Sequence, residues 1–247
     1  DTAAHLDEAR REWVVPLHLW VYRPQHSVVR KAFIARLLER TYGLKVAPEQ
    51  AAVFDRRVNL LLADNLGNRR PQATLVRRAL LMPATGSNGH TMREARLPVA
   101  DDAPPHGGRA TLSATGARQT AQVRLVPPEG LSIVSDIDDT VKATGVLDKA
   151  ALWRATLLEP FKAVPGMADL FRRVGGGTAA VHFVSSSPWH LYEPLHEWLA
   201  AEGFAASALH LKQMRLKDRT ILDIAKSPAE TKPPVIAGLL RRYPRRR

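Results

Sequence analysis

Three acidic residues follow a short apolar segment near the middle of the sequence. Asp136, Asp138 and Asp139 lie within residues 131–141, LSIVSDIDDTV, after a mostly apolar and β-branched run. Such a run is typical of a buried parallel strand. Three carboxylates at one strand end repel one another and lose hydration, so the cluster indicates a site for a cation or a substrate.

A hydroxyl group and an amine can join these acids. Ser185 directly follows the apolar residues 179–184, and Lys232 precedes a predicted helix. In open α/β sheets, ligands bind beyond the carboxyl ends of the strands, so Asp136, Asp138 and Ser185 should face one crevice. Two carboxylates, a hydroxyl and a lysine can hold Mg²⁺ and a phosphoryl group. Ser186 and Ser187 compete with Ser185 for its role.

The second half of the chain alternates predicted strands and helices, which favours a parallel sheet wound with helices. Strands are predicted at residues 131–137, 179–184 and 208–211. Helices are predicted at about 148–158, 166–174, 188–201 and 233–243. The basic loop that follows the third strand contains Lys212, Arg215, Lys217 and Arg219.

The first half is predicted to be a separate β-rich, sandwich-like domain with one or two helices. The pattern predicts a strand at 13–22, then a helix capped by Ser27 and ended by Gly43, with Val29, Phe33 and Leu37 on one face beside Ile34 and Leu38. A short helix is predicted at 48–54, and strands at 58–63, 72–81, 94–99, 109–114 and 119–126. Residues 1–127 and 128–247 are therefore the predicted domains. The scattered histidines of the first half are interpreted as surface or satisfied residues, namely His18, His26, His90 and His106.

The composition excludes several classes of site. The 247 residues contain no cysteine, which excludes disulfides, thiolate metal sites and a cysteine nucleophile. No run of about eighteen apolar residues occurs, so no membrane span is expected. The formal charge of +12 attracts polyanions, but no recognisable nucleic-acid-binding pattern accompanies it. An anionic substrate or an anionic lipid surface is therefore the expected partner, and nucleic acid is not.

The motifs of the second half resemble a known family. Residues 136–140, DIDDT, match the DxDxT signature of the haloacid dehalogenase superfamily of phosphohydrolases. The wider wording SDIDDTVKATGVLD, FVSSSPWHLY and HLKQMRLKD resembles the catalytic domain of the actin-patch phosphatidate phosphatase family, over about residues 126–243. The resemblance implies an α/β fold with a haloacid dehalogenase-like Rossmannoid parallel sheet. The N-terminal half is similar to the family only in outline.

The resemblance also implies roles for individual residues. Asp136 would be the nucleophile that forms an aspartyl phosphate, and Asp138 would be the general acid and base. The Asp136 carboxylate and the Asp138 carbonyl would bind Mg²⁺, Ser185 would donate to a phosphate oxygen, and Lys232 would stabilise the intermediate.

Further residues are expected to lie in or near the site. Thr140, which shapes the turn, is expected to contribute to substrate binding together with Ser186 and Lys212. For Asp139, a solvated or loop-capping role and a catalytic role both stay open. The aromatic set Trp189, Tyr192 and Trp198 is interpreted as core or helix-docking contacts, with a membrane-facing set as the alternative.

One expected part is missing from the sequence. In the resembled family an acidic fourth motif on a further strand completes the metal site, but no Asp or Glu follows Glu230. We therefore expect that the native product continues beyond Arg247 or that this chain is impaired, and that residues 131–137 lie at a sheet edge.

The expected function is Mg²⁺-dependent hydrolysis of phosphatidate in the cytoplasm, with peripheral contact to an anionic membrane. A non-catalytic module that binds anionic lipid or protein, and a phosphatase of soluble phosphomonoesters, are the alternatives.

Overall fold

The computed structural model describes residues 1–99, 108–117, 120–213 and 232–247. The strands within these ranges are β1 (Thr2–Asp7), β2 (Glu12–Trp20), β3 (Tyr22–Arg23), β4 (Asp64–Asn65), β5 (Gln72–Leu75), β6 (Arg78–Leu81), β7 (His90–Pro98), β8 (Arg109–Ala114), β9 (Ala121–Val126), β10 (Ser132–Ser135), β11 (Lys142–Ala143), β12 (Lys162–Ala163), β13 (Ala180–Pro188) and β14 (Ala206–Lys212). The helices are α1 (Val28–Tyr42), α2 (Ala51–Leu61), α3 (Lys149–Trp153), α4 (Met167–Gly175), α5 (Tyr192–Ala201) and α6 (Lys232–Arg242). Together they form a mixed α/β fold.

Seven strands of the first half form one curled sheet. Its order is β6-β5-β8-β9-β1-β2-β7, and the pairs are antiparallel except for the parallel pair β1 and β9. Apolar side chains from β2, β5, β8 and β9 form a buried cluster, as alternation along the strands requires. The sequence predicted β-rich structure here but did not predict β1.

Two predicted elements of the first half are wrong. Residues 58–63 were predicted as a strand, but α2 runs to Leu61 and buries Phe54, Val58 and Leu61 on one helical face. Residues 72–81 were predicted as one strand, but the chain reverses after Leu75 to form the hairpin of β5 and β6. Val76 adopts a φ of 59° in that turn without the glycine or asparagine that usually signals it.

Helix α1 begins and ends where the sequence predicted. The Ser27 hydroxyl accepts a hydrogen bond from the Arg30 amide at 3.3 Å, and Gly43 ends the helix with a φ of 69°. The predicted apolar face is only partly right. Ile34 and Leu38 are buried, but Val29 is 79% exposed and Phe33 is 46% exposed, because the core contacts only the C-terminal part of the helix.

The second half is organised around a three-stranded parallel sheet of order β10-β13-β14. Val181 and Phe183 of β13 face a cluster that includes residues of α4 and α5, whereas Ala180 and Val184 face Leu239 of α6. Helices therefore cover both faces of this sheet, as in doubly wound α/β folds.

Strand β10 is an edge strand of this sheet among the described strands, as the sequence predicted, but residues 246 and 247 cover the start of that edge. On its outer side, the Ser132 amide donates to the Arg247 carbonyl at 2.7 Å and the Arg247 amide donates to the Gly130 carbonyl at 3.0 Å. The Arg246 guanidinium also donates to the Ser132 hydroxyl at 2.8 Å and to the Pro127 carbonyl at 2.9 Å. These contacts hold the start of β10 in place.

Helices α1 and α2 pack against the second half of the chain. Their buried residues share one apolar cluster with Ile137, Trp153 and Phe183. Arg57 of α2 is also buried, and its guanidinium donates to the carbonyl groups of Ala155, Thr156 and Glu159 at 2.7–3.3 Å. These carbonyls end the π-helical turn at residues 154–158, where main-chain acceptors need partners.

Candidate active site

The predicted catalytic side chains meet at the carboxyl end of the parallel sheet. Asp136 follows β10, Ser185 lies near the end of β13, and Lys232 is the first residue of α6. The Lys232 amine lies 2.5 Å from the Asp136 carboxylate. The Ser185 hydroxyl donates to the Asp138 carboxylate at 3.2 Å. The structure therefore brings all four residues to one site.

Asp136 is the more accessible of the two acids. Its Oδ1 accepts the Ile137 amide hydrogen at 2.8 Å, and its Oδ2 accepts from Lys232. One third of its side chain is exposed. An oriented carboxylate that stays open to solvent beside an ammonium group suits nucleophilic attack on an anionic phosphate.

Asp138 is held on all sides. Its Oδ1 accepts from the Lys142 amine at 2.5 Å and from the Thr144 hydroxyl at 2.9 Å. Its Oδ2 accepts from the hydroxyls of Ser185 and Ser187, the latter at 3.1 Å. Burial alone would raise the pKa of Asp138, but the Lys142 charge and these hydrogen bonds outweigh it and hold the pKa below its usual value.

The sequence carries no signal for Lys142 and Thr144, and it offers Ser187 only as a competitor of Ser185. Lys142 is 2% exposed, and its amine also donates to the Thr144 hydroxyl at 2.6 Å. It reaches Asp138 because the amides of residues 140–142 all donate to the Ile137 carbonyl, which reverses the chain. A spacing of four residues outside a helix carries no such signal, so only the turn geometry shows the pair. For Ser187, its place in the serine run was the available signal.

Asp139 supports a loop. Its carboxylate accepts the amide hydrogens of Thr144, Gly145 and Val146 at 2.8, 2.6 and 2.7 Å. Burial acts to raise the pKa of Asp139, but these three amide bonds prevail and lower it. Of the two roles that the sequence left open, the structure therefore favours loop capping.

The remaining predicted residues lie around this site. Thr140 is part of the turn after Ile137, and its amide donates to the Ile137 carbonyl at 3.2 Å. Ser186 lies between the two serines that contact Asp138. Lys212 ends β14 and is in register with Pro188 of β13, which places it at the same edge of the sheet. Their predicted part in substrate binding stays a prediction. The other basic-loop residues, Arg215, Lys217 and Arg219, lie outside the described residues.

The Asp136 carboxylate and the Asp138 main-chain carbonyl are the oxygen atoms of this site that fit Mg²⁺. Among the described residues, no three histidine or acidic side chains converge as a metal cluster. Mg²⁺ commonly uses one or two protein carboxylates and completes its shell with water and substrate phosphate oxygens. The accessible Asp136 carboxylate and the Asp138 main-chain carbonyl match that mode, whereas the Asp138 carboxylate is already occupied by donors.

The aromatic residues of this region act as packing contacts. Trp189, Tyr192 and Trp198 are partly buried against the main apolar cluster. Trp189 stacks on Tyr192 with ring centroids 4.9 Å apart, and Trp198 meets the edge of Phe161 at 5.9 Å. The helix-docking interpretation is thus confirmed.

Residues 131–247 match the family model of the catalytic domain of phosphatidate phosphatase APP1. The family resemblance predicted from the motifs is confirmed for this segment. It contains Asp136, Asp138, Ser185 and Lys232, so every residue of the site described above lies inside the match.

Two curated proteins are similar to the chain. Phosphatidate phosphatase APP1 of Saccharomyces cerevisiae is 27% identical over 157 residues, which cover 62% of this chain and 25% of that protein. The uncharacterized protein C29B5.04c of Schizosaccharomyces pombe is 36% identical over 96 residues, which cover 37% of this chain and 16% of that protein. The chain thus spans a quarter or less of the length of these relatives.

Proposed function

We propose that the chain is a Mg²⁺-dependent phosphatidate phosphatase that acts through an aspartyl phosphate at Asp136. The observation that carries the proposal is the meeting of Asp136 with Lys232, and of Asp138 with Ser185, at the carboxyl end of a parallel sheet. The match of the same segment to a phosphatidate phosphatase family supports the substrate class. A haloacid dehalogenase-like fold preceded by a sandwich-like domain is part of this proposal.

The first step transfers the phosphoryl group to the protein. A carboxylate oxygen of Asp136 attacks the phosphorus, and the bond between phosphorus and the glycerol oxygen breaks. Asp138 gives its proton to the departing alkoxide. The Lys232 ammonium lies beside the attacked position, where it offsets the charge on the phosphoryl oxygens. Mg²⁺ bound by the Asp136 carboxylate and the Asp138 carbonyl would add to this charge neutralisation.

The second step returns Asp136 to its resting state. The Asp138 carboxylate accepts a proton from a water molecule, whose oxygen attacks the phosphorus. The bond between the phosphorus and the Asp136 oxygen breaks, which frees the Asp136 carboxylate and releases inorganic phosphate. The lowered pKa of Asp138 in the resting site keeps its carboxylate ionised, so that it is able to accept this proton. Its earlier role as an acid requires a higher pKa, which the negative charge of a bound phosphate provides.

The lipid nature of the substrate rests on the family match and on charge. The formal charge of +12 favours contact with an anionic bilayer through exposed Lys and Arg residues. None of the described helices has both the length and the apolar content that crossing a bilayer requires. Contact with the membrane is therefore proposed as peripheral.

A second candidate is a non-catalytic module that binds anionic lipid. The observation that favours it is that both acids are already paired with lysines, Asp136 with Lys232 and Asp138 with Lys142. Within the described ranges no third acid joins them. Such a site could be a stable remnant of a phosphatase.

A paired assay separates these candidates. The purified chain is incubated with phosphatidate and with p-nitrophenyl phosphate, with and without Mg²⁺, and liposome co-sedimentation is measured in parallel. We expect Mg²⁺-dependent phosphate release that falls by about a thousandfold or more in Asp136→Asn, since the nucleophile is lost. Lipid binding without Mg²⁺-dependent turnover would favour the module. Turnover of p-nitrophenyl phosphate but not of phosphatidate would favour a phosphatase of soluble esters.

A further inference from the structure

A cavity of about 890 Å³ lies between the seven-stranded sheet and the second half of the chain. We call it the inter-sheet cavity. Its walls come from β2, β14, α6 and the helical turn Trp189–Leu191, and they include His18, Trp20, Leu211 and Gly238. Its volume is in the range of pockets that bury a whole small ligand, and aromatic and aliphatic side chains share its lining with charged residues that include Arg93, Glu193 and Arg241.

The cavity wall holds a buried polar side chain without a partner. His190 is 1% exposed, and neither of its ring nitrogens has a hydrogen-bond partner in the part of the chain that the structure describes. The His190 ring packs against Trp20, with centroids 4.8 Å apart. Buried nitrogens of this kind are normally satisfied by a protein group or an ordered water, and a polar group of a ligand in the cavity would satisfy them equally.

The neighbouring histidines show what charge the cavity accepts. His18 and His90 lie on the paired strands β2 and β7 and share a hydrogen bond of 2.9 Å between ring nitrogens. The sequence interpretation of these two as separate surface or satisfied residues missed that contact. Burial lowers the pKa of His18 to about 3, and that of His90 and His190 to about 4. A neutral imidazole has one donor and one acceptor, so His190 suits an ester or a hydroxyl group, whereas the cations of the lining are Arg93, Arg241 and Arg242.

Helix α6 leaves one side of the cavity open. A methyl group placed at Gly238 would meet no other atom within 4 Å. Glycine is a poor helix former, and a larger side chain at this position would project into free space. The absence of a side chain there keeps room beside Leu239.

The cavity begins next to the proposed active site. Ser187 contacts Asp138, and His190 lies three positions later in the chain, a Cα span of at most about 11 Å. At α6, Pro234 lines the cavity two residues after Lys232, which contacts Asp136. A molecule with its phosphate at Asp136 could therefore extend into the cavity.

We propose that the inter-sheet cavity binds an acyl chain of the lipid substrate and that His190 contacts its ester group. This inference rests on the phosphatidate phosphatase function proposed above. It assigns the charged phosphate to the Asp136 and Lys232 end, and the neutral ester and hydrocarbon to the cavity.

Binding of monomeric ligands tests the proposal without turnover. Calorimetric titration compares dioctanoylglycerol, its dioctyl ether analogue, octanoate and glycerol 3-phosphate, which separates ester, hydrocarbon, fatty acid and headgroup. We expect dioctanoylglycerol to bind, the ether to bind more weakly, and the other two ligands to bind least. Trp20 lines the cavity, so its fluorescence gives a second readout.

Two variants locate the binding. Gly238→Phe should fill the cavity and weaken dioctanoylglycerol binding at least tenfold, whereas the matched Gly238→Ala should change it less than twofold. His190→Phe should abolish the preference for the ester over the ether. Thermal unfolding verifies that each variant is folded, and if Gly238→Phe fails to fold, the His190 result decides.

The proposal is overturned if Gly238→Phe binds like wild type, if ester and ether bind equally to wild type, or if octanoate binds better than the ester. Failure of the proposed function has a different signature. In that case wild type releases no phosphate from phosphatidate, although the binding and its sensitivity to Gly238 persist.

Discussion

Replacement of Lys142 by methionine should reverse the sign of the pH dependence that Asp138 gives to the free energy of unfolding. The Lys142 amine makes two contacts, 2.5 Å to Asp138 and 2.6 Å to Thr144, and its side chain is 3% exposed. Removing one partner of a buried ion pair costs about 3–5 kcal/mol because the other charge stays buried. We expect the lower end, about 3 kcal/mol at pH 7, because three hydroxyls still donate to Asp138.

The direction of the pH dependence follows from the pKa of Asp138. In the wild type this pKa is lower in the folded chain than its usual value of 3.8. The stabilisation that the ionised Asp138 contributes is therefore present above about pH 4 and is lost as the pH falls through the folded pKa. In Lys142→Met, burial is no longer opposed by the lysine charge, so the folded pKa lies above the unfolded one. The protonated form of Asp138 is then the one that favours folding, and its contribution is full below pH 4 and is lost as the pH rises. The free energy of unfolding of the variant should therefore increase from pH 7 down to pH 5.

Urea unfolding between pH 3 and pH 8 measures this difference. Lys162→Met is the matched control, because Lys162 makes an exposed ion pair with Glu159 at 3.2 Å, and its loss should cost at most about 1 kcal/mol. In the double variant Lys142→Met/Asp138→Asn, the upward trend toward acid should disappear. A Lys142→Met protein with wild-type stability at pH 7, or with the wild-type pH slope, would refute the reasoning about this pair.

Three further predictions concern other side chains. Arg57→Met should lower the free energy of unfolding by about 3 kcal/mol, because three buried or partly buried carbonyls lose their donor. The exposed Arg56→Met should cost at most about 1 kcal/mol. Chemical unfolding of both variants gives the comparison, and equal losses would contradict the role of Arg57. Asp139→Ala should destabilise the chain by about 2 kcal/mol, and the amide hydrogens of residues 144–146 should exchange faster because they lose their acceptor. Asp169→Ala, which removes an exposed ion pair with Arg172, should not change that exchange. Unchanged exchange in Asp139→Ala would count against the loop-capping role. His190 has a pKa of about 4 in the folded chain, against an ordinary value of 6.5. Its contribution to the free energy of unfolding is therefore full above pH 6.5 and decreases as the pH falls toward 4. His190→Phe should lose less stability than the wild type between pH 7.5 and pH 5, and an identical loss would contradict the buried neutral state.

The framework of the site could be predicted from the sequence because it follows from short-range patterns. Apolar runs that end in polar residues mark β10 and β13, and the carboxyl ends of parallel strands meet at one edge. Lys232 was predictable at the same edge because two prolines mark the start of α6. These signals need no knowledge of tertiary contacts.

Other parts of the fold depend on contacts that the sequence does not display. Lys142 reaches Asp138 only because a turn reverses the chain, and Val76 turns a hairpin without the usual residue type. Phe33 was placed in the core by helical spacing, yet α1 meets the core only through its later turns. Residues 58–61 are helical because Val58 and Leu61 lie on the buried face of α2, which packs against the second half; Val58 is the one β-branched residue among them.

The most direct test of the central claim is detection of the phosphorylated protein itself. Phosphatidate that is radiolabelled in its phosphate group is mixed with the chain and Mg²⁺. The reaction is quenched in acid within one turnover, and the labelled peptide is identified. The account predicts label on the peptide that contains Asp136, and none in Asp136→Asn. Phosphate release without any labelled Asp136, or a labelled Asp136→Asn protein, would contradict it.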